Sequence, residues 1–194
     1  MSILGAIKGG WRAPERIRVK GRKLSDLLAA HAQFVCGGDG GLRAELAGAD
    51  LSRADLAKAN LMYADMQGAN LAGANLREAK LGSADLSNAK LMGADLRKAD
   101  LTEAHLDGAD LTGAQAGGAE FFRATIQQAN LSRADFVAAN FRDANIRGAN
   151  FDGATLRTAI LRETKLDGVD LSRAEGIDAA IMPRGYGSRA AAKN

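Results

Sequence analysis

The stretch LMGADLRKADLTEAHLDGADLT, residues 91–112, carries a leucine at every fifth position. No regular element of secondary structure has this period. A helix advances about 100° per residue, so leucines five positions apart would lie about 140° apart around its axis. A strand alternates its faces at every residue, so an odd spacing would send successive leucines to opposite sides. The stretch therefore excludes a simple amphipathic helix and a simple strand.

An alanine precedes each of these leucines by two positions. Residues two apart in an extended chain lie on the same face, so the alanine and the leucine of each block can point inward together. The two remaining residues of each block then form a corner. A glycine stands two residues after the large residue in ten blocks, where a type II turn requires positive φ. These glycines are at positions 48, 68, 73, 93, 108, 113, 118, 148, 153 and 168. The pattern predicts a polygonal coil whose axis is filled by alanine and leucine.

The five-residue period continues without an insertion over residues 46–171. Its 26 central positions hold 18 leucines, four phenylalanines, two isoleucines, Met66 and Ala116. The position two before the large residue is alanine 24 times in succession. Self-similarity over so many blocks indicates a repeat architecture.

Composition and length predict one soluble domain. Of the 194 residues, 46% are hydrophobic and 25% are charged, which is typical of a globular chain. No apolar run approaches the roughly 18 residues that cross a bilayer, and ILGAI near the start is too short for the apolar region of a signal sequence. Cys36 is the single cysteine, so no internal disulfide can form. We therefore expect a cytoplasmic protein without a membrane span.

The chain divides into four regions. Residues 1–23 are basic and have no clear period, so we expect an irregular N-terminal arm. Within residues 24–41, apolar spacing predicts a helix over about 25–36 followed by a glycine loop. We expect this helix to cap the first coil, because the end of a solenoid exposes apolar side chains and unpaired backbone groups. Residues 42–182 are assigned to the repeats, and residues 183–194 to a flexible basic tail.

The repeated blocks identify a family by resemblance. Blocks such as ADLSR, ANLAG, GADLT and AANFR resemble the A(D/N)LxG units of the pentapeptide repeat proteins, over roughly residues 42–182. The resemblance implies an all-β solenoid, a right-handed quadrilateral parallel β-helix with four blocks per coil. Residues 20 apart would then stack, and 26 blocks would make about 6.5 coils. The resemblance to the family implies little about function, because proteins with one fold serve many roles.

Stacking at a spacing of 20 residues makes the core predictable. Ala116 falls between Leu96 and Phe136 in one stack, and the neighbouring phenylalanine rings are expected to fill the space that Ala116 leaves. The expected structural core contains Leu51, Leu71, Leu91, Leu96, Leu111, Ala116, Phe121, Phe136, Phe141 and Phe151.

Groups with catalytic or metal-binding chemistry are sparse. His31 lies on the apolar side of the predicted helix and is expected to be a packed core residue. His105 is expected on the surface, stacked between Asp85 and Thr125. Glu45, Asp65 and Asp85 would form a column of carboxylates with raised pKa values, but asparagine replaces the acid in many equivalent blocks, which favours a structural role. No phosphate loop, nucleophile elbow or dinucleotide fingerprint is present, so we expect neither catalysis nor a cofactor or metal ion.

The outward positions suggest a surface for a protein partner. Arg77 and Arg97 would align on one side, with Lys58, Glu78 and Lys98 nearby. Several apolar side chains would also point outward, although scattered exposed apolar residues are common on protein surfaces. The candidate interaction surface consists of Met62, Tyr63, Arg77, Arg97, Phe122 and Val137.

Three functions follow as hypotheses. The first is a non-catalytic scaffold that binds an unknown protein partner, with self-association into a homodimer through one end of the solenoid. The second, implied by the resemblance, is a DNA mimic that binds DNA gyrase or topoisomerase IV, as the quinolone-resistance members do. Mimicry requires strong negative charge, whereas residues 42–175 hold 16 basic and 19 acidic groups. The third is a basic N-terminal arm, containing Trp11, that binds nucleic acid or an anionic membrane.

Overall fold

A computed structural model, which describes residues 10–186, consists mainly of coils that stack along one axis. Each coil takes 20 residues, because parallel bridges join residues 20 apart, as between Glu45 and Asp65. Each bridge is short, and two backbone hydrogen bonds flank it. At the bridge between Asp65 and Asp85, the N–H of Asp85 donates to the Ala64 carbonyl at 3.0 Å and the N–H of Met66 donates to the Asp85 carbonyl at 2.8 Å. The ladder therefore runs from coil to coil, parallel to the axis.

Each coil has four straight segments, so the bridged residues form four columns, which we call faces A to D. Face A carries Glu45, Asp65, Asp85, His105, Thr125, Asn145 and Lys165. Face B carries Asp50, Asn70, Lys90, Asp110, Asn130 and Asn150. Face C carries Asp55, Asn75, Asp95, Gln115, Asp135, Thr155 and Glu175. Face D carries Asn60, Lys80, Asp100, Glu120, Asn140, Ile160 and Ile181.

A tight turn joins each face to the next and forms an edge of the stack. The N–H of Ala49 closes such a turn by donating to the Leu46 carbonyl at 3.0 Å. The third residue of every turn from position 48 to 168 has positive φ, including all ten of the glycines that the sequence pattern singles out. The other fifteen turns place a non-glycine residue there, with φ between 53° and 64°. The hydrogen-bonded register thus fixes the turn conformation even where a side chain opposes it.

The axis of the stack is filled by the alanine and the large residue of each block. All ten side chains expected in the core have no exposed surface. The four phenylalanines form one cluster next to Ala116: the rings of Phe121 and Phe141 stack at 4.8 Å, and the ring of Phe136 meets that of Phe141 edge-on at 5.2 Å. Large residues therefore gather where the stack contains its one small central residue.

The described part of the expected N-terminal arm, residues 10–23, is not irregular and lies against the first coils. Arg12 forms a parallel bridge with Ala54 on the open side of the first coil, where the N–H of Asp55 donates to its carbonyl at 2.8 Å. A 3-10 helix, Pro14–Arg16, leads into an antiparallel hairpin of β1, Arg18–Val19, and β2, Arg22–Lys23. The burial of Ile17, Val19 and Leu24 explains the difference from the expectation. Residues 1–9 lie outside the described residues.

The single α-helix among the described residues, α1, spans Leu24–Val35, close to the expected range. Leu27 and Leu28 pack against the core of the coils. The chain then turns back over the helix, and the N–H of Leu42 donates to the Ala30 carbonyl at 3.1 Å. Gly41 permits this approach, because a Cβ there would lie 2.3 Å from the backbone nitrogen of Phe34.

The last coil departs from the 20-residue register. Gly176 takes a left-handed conformation before the 3-10 helix Ile177–Ala179, and this adds one residue. Ile160 therefore bridges Ile181, 21 positions later. The predicted flexible tail begins at residue 183, but residues 187–194 lie outside the described residues. Between residues 10 and 186 no helix is long and apolar enough to cross a membrane.

Candidate functional site

The carboxylate and amide groups of the four faces have a structural role, which the sequence pattern favours without identifying the hydrogen bonds involved. In fourteen blocks, the bridged Asp or Asn accepts the backbone N–H of the residue two positions later, at the start of the turn. Asp170, which forms no bridge with another described residue, accepts the N–H of Ser172 in the same way. Asp85, for example, accepts the N–H of Ser87 at 2.9 Å. A short side chain with an acceptor oxygen is suited to this bond. The preference for Asp and Asn at this position is the sequence feature that indicates this hydrogen bond.

The column of Glu45, Asp65 and Asp85 forms on face A as expected, since both bridges are present. Two of its carboxylates hold backbone N–H groups of their own turns, Asp65 that of Gln67 and Asp85 that of Ser87. These contacts account for the two acids as turn-stabilising groups.

The histidines lie where the sequence placed them. His105 is exposed on face A between Asp85 and Thr125, and its Nδ1 lies 3.3 Å from the Thr125 hydroxyl. His31 is a fully buried residue of α1, and its Nδ1 accepts the N–H of Ala44 at 3.0 Å. Burial lowers the pKa of His31, while the Met62 carbonyl raises it and the charge of Arg43 lowers it further. The described residues contain no cluster of His, Cys, Asp and Glu that would hold a metal ion.

The six residues of the candidate interaction surface lie along the two edges of one face. The turns between faces C and D, which we call the C–D edge, carry Arg77, Arg97 and Val137. The turns between faces D and A, which we call the D–A edge, carry Met62, Tyr63 and Phe122. Face D lies between these edges, and its column contains polar and charged residues from Asn60 to Asn140 and then Ile160 and Ile181. The fold thus brings together side chains that are 75 positions apart in the sequence.

Arg97 is held in place on the C–D edge by Asp95. The side chain of Asp95 is 7% exposed, and its carboxylate accepts the Arg97 Nε at 2.8 Å and a second bond from Nη2, with the Arg77 Nη1 at 4.0 Å. Burial raises the pKa of Asp95, but the hydrogen bonds and charge of Arg97 and the charge of Arg77 outweigh burial and lower it. The bond to Asp95 raises the pKa of Arg97. Asp95 and Asn75, which both belong to the column of face C, are buried.

The D–A edge combines apolar and cationic groups. Tyr63 is 48% exposed. Met62 lies along the edge close to Gly82: if Gly82 carried a Cβ, that atom would lie 3.7 Å from the Met62 Cε. The ring of Phe122 lies between two guanidinium groups, with the Cζ of Arg123 at 4.8 Å and that of Arg142 at 5.9 Å from its centre. Contacts between a guanidinium group and an aromatic face are attractive, and tyrosine and arginine are among the residue types enriched at the energetically dominant positions of protein interfaces.

The two ends of the stack differ. At the N-terminal end, Arg12 bridges Ala54, and His31 of α1 accepts the N–H of Ala44. At the other end, the backbone N–H groups of Leu166 and Leu171 in the last coil donate no hydrogen bond to the backbone of another described residue. Ile181 is 45% exposed there, and Leu166, Val169 and Met182 are only partly buried. The C-terminal end therefore presents apolar side chains and open backbone groups among the residues up to 186.

A comparison with protein families gives one match. A family model described as pentapeptide repeats matches five overlapping ranges, 43–77, 69–108, 99–137, 119–157 and 139–175. Together these ranges span most of the stacked coils. No curated protein matches the chain.

Similar solved structures include a pentapeptide repeat protein from the thylakoid lumen of Arabidopsis thaliana, with 34% identity over 46% of this chain and 63% of that chain, and a TM-score of 0.45. HetL, involved in heterocyst differentiation regulation in Nostoc sp. strain PCC 7120, has 30% identity over 73% of this chain and 86% of that one, with a TM-score of 0.32. QnrB1, a plasmid-mediated fluoroquinolone resistance protein, has 16% identity over 76% and 89% of the two chains, with a TM-score of 0.31. The chain thus spans less than two thirds of the Arabidopsis structure.

Proposed function

The chain belongs to the pentapeptide repeat family, and from that premise we propose that it is a non-catalytic scaffold that binds a protein partner through face D and its two edges. The placement of the six candidate residues is the observation that carries the proposal. Arg77, Arg97 and Val137 on one edge, and Met62, Tyr63 and Phe122 on the other, enclose a single face.

The rigidity of the surface supports this proposal. The backbone of face D is fixed at every coil by ladder hydrogen bonds, and Asp95 fixes the guanidinium of Arg97. Side chains that are already ordered lose less entropy on binding, so a given contact contributes more to affinity. Partly exposed aromatic and arginine side chains are the types that most often dominate binding energy.

A quantitative pull-down from the native host tests this function. We expect Phe122→Ser and Arg97→Glu each to reduce recovery of the specific partner by about tenfold or more, which is a large effect for one interface residue. Met92→Ser is the matched control, because Met92 is 44% exposed on the edge between faces B and C, away from face D. Equal recovery with all three variants would remove face D from the proposal.

We infer that the stack is the right-handed quadrilateral β-helix of this family and that α1 caps its first coil. The contacts of Leu27, Leu28 and His31 with the first coil support the capping role. The division into a capping segment over 24–41 and repeats over 42–182 is proposed on the same contacts. We also propose a cytoplasmic location, in keeping with the lone Cys36.

We propose that any homodimer forms through the C-terminal end. The apolar side chains of Ile181 and Met182 and the open ladder of the last coil support this choice, because free strand edges readily pair with another chain. Sedimentation at several concentrations checks it. Ile181→Asp should shift a dimer to the monomer, and a dimer that this substitution leaves intact would overturn the proposal.

The gyrase or topoisomerase IV hypothesis is a second candidate that calls for continuous negative charge along the rod. Faces B and D instead interrupt their acids with Lys90 and Lys80, and the C–D edge is basic at Arg77 and Arg97. A gyrase supercoiling assay decides it. We expect neither inhibition nor protection from a quinolone at micromolar protein, and either effect would support the mimic instead.

A further inference from the structure

The N-terminal end of the stack carries exposed cations that have no acidic partner among the described residues. β1, β2 and the residues beside them contribute Arg16, Arg18, Lys20, Arg22 and Lys23, all exposed. Ion pairs of the described residues involve none of these five groups, whereas Arg12 pairs with Asp50. The buried side chains of Ile17 and Val19 hold the hairpin against the fold. The backbone that carries these cations therefore has a fixed position, unlike that of a free arm.

An apolar groove lies directly beside this hairpin. Its cavity of about 260 Å³ is lined by Arg22, Leu27, Ala30, Leu42, Arg43 and Glu45. Leu42 is 55% exposed, and Leu27 is partly buried. The volume suits one or two apolar side chains, and Glu45 is the one acid in the lining.

The groove is continuous with the D–A edge. Arg43, on its rim, donates from Nε to the Tyr63 carbonyl at 2.6 Å. A chain that leaves the groove past Arg43 would therefore reach Tyr63, a residue of the candidate surface on that edge. The groove and face D can thus contact one continuous partner.

We propose that this groove and hairpin bind an acidic peptide segment of the protein partner, with an apolar side chain of that segment held against Leu27, Ala30 and Leu42. The inference rests on the proposed function, since it names the chemistry and position of one part of the partner. Concave apolar surface favours a peptide over nucleic acid, which has no apolar side chain to insert. The groove also favours a peptide over a membrane, which would meet protruding rather than recessed groups.

Fluorescence anisotropy with the full chain tests the inference. The probe is a short labelled peptide of aspartate and glutamate around a central Leu-Phe pair, and its control carries Ser-Ser in place of that pair. We expect the Leu-Phe peptide to bind about fivefold or more tightly than the control, and its affinity to fall as salt screens the charges. A DNA duplex and vesicles containing phosphatidylserine are expected to bind more weakly than the Leu-Phe peptide.

Variants assign the binding to the groove. Arg22→Glu and Leu42→Ser are each expected to weaken peptide binding by about fivefold to tenfold, and Glu45→Gln to strengthen it. Arg162→Glu is the matched control, because Arg162 is an exposed cation near the other end. Circular dichroism melts establish that each variant folds. All three changes alter exposed side chains, so their folds are expected to match the wild type.

Four results would overturn the inference: no peptide binding below about 1 mM, equal binding of both peptides, binding indifferent to Arg22→Glu, or tighter binding of DNA or vesicles. The pull-down with face D variants is independent of these results. Loss of partner recovery in those variants, together with no peptide binding, would leave the scaffold function standing and remove this inference alone.

Discussion

The carboxylate of Asp95 lies almost fully buried on face C and binds the guanidinium of Arg97, which lies on the neighbouring edge, with the Arg97 Nε 2.8 Å from Oδ1. The same carboxylate accepts the backbone N–H of Arg97 at 3.2 Å. One acid thus closes a turn and orients a cation of the candidate surface. This double role links the stability of the stack to its function.

Acid should destabilise the protein through such carboxylates. Hydrogen bonds and neighbouring charge lower the pKa of Asp50 and Asp95, and the Ser172 N–H and hydroxyl lower that of Asp170. A carboxyl whose folded pKa is lowered stabilises the fold fully above its unfolded pKa, about 3.9 for aspartate, and loses that contribution as pH falls through the folded value. Thermal melts below pH of about 4 should therefore show a falling Tm.

Asp95→Asn provides the control for this pH dependence. The amide oxygen still accepts the Arg97 N–H, but the charge is gone, so the variant should be less stable by about 1 kcal/mol near neutral pH, allowing for the half-exposed arginine. Its Tm should also fall less steeply in acid than that of the wild type. An unchanged slope would show that Asp95 does not contribute.

Truncation of the core at Leu96 should be costly. Leu96→Ala removes a fully buried side chain and leaves a cavity between rigid coils, so we expect a loss of about 2–5 kcal/mol in the free energy of unfolding. Urea denaturation measures this value. Met92→Ala, at an exposed turn position, should cost less than about 0.5 kcal/mol, and a similar cost for both variants would contradict the inward position of Leu96.

Glycine should relieve strain at a turn that carries a β-branched residue. Thr158 is exposed and has φ of 58°, a conformation that L-residues adopt at a cost of about 1–2 kcal/mol. Thr158→Gly should therefore stabilise the protein by about 0.5–1 kcal/mol after the entropy of the unfolded glycine is subtracted. Gly153→Ala, at φ of 67°, is the reverse control and should destabilise. A lower free energy of unfolding for Thr158→Gly than for the wild type would contradict the presence of backbone strain at Thr158.

The turn-closing role of the bridged acids is testable within one column. Asp110 accepts the Thr112 N–H at 3.0 Å, whereas Lys90, one coil earlier on face B, has no oxygen for such a bond. Asp110→Ala should cost about 1 kcal/mol, and Lys90→Ala should be nearly neutral. Urea denaturation compares the two, and equal effects would argue against the hydrogen bond as the reason for the Asp preference.

The repeat region was predictable because one period determines every position. The alanine and leucine spacing identifies the inward pair, and the glycines identify the turns. The fifteen non-glycine residues with positive φ could not be found from local preference, since the register of neighbouring coils imposes their conformation. The bonds of the bridged Asp and Asn were also missed, although the residue preference was visible.

The ends were harder to predict because they lack the period. Nothing in the local sequence of residues 11–13 indicates that Arg12 pairs with Ala54, a contact 42 positions away. The hairpin that holds Arg18 and Arg22 was interpreted as part of an arm for the same reason. The candidate surface was only partly predictable. The sequence pattern identifies its six residues, but their arrangement on the two edges of face D depends on the order of the four edges around the coil.

The most direct test of the scaffold function is photocrosslinking in the native host with a light-activated amino acid at one partly or fully exposed position of each edge, namely Ala47, Met92, Lys98 and Tyr63. The account predicts that one partner crosslinks strongly from Lys98 and Tyr63, the two positions beside face D, and weakly from Ala47 and Met92. Crosslinking of that partner mainly from Ala47 and Met92, or no protein adduct from any position, would contradict it.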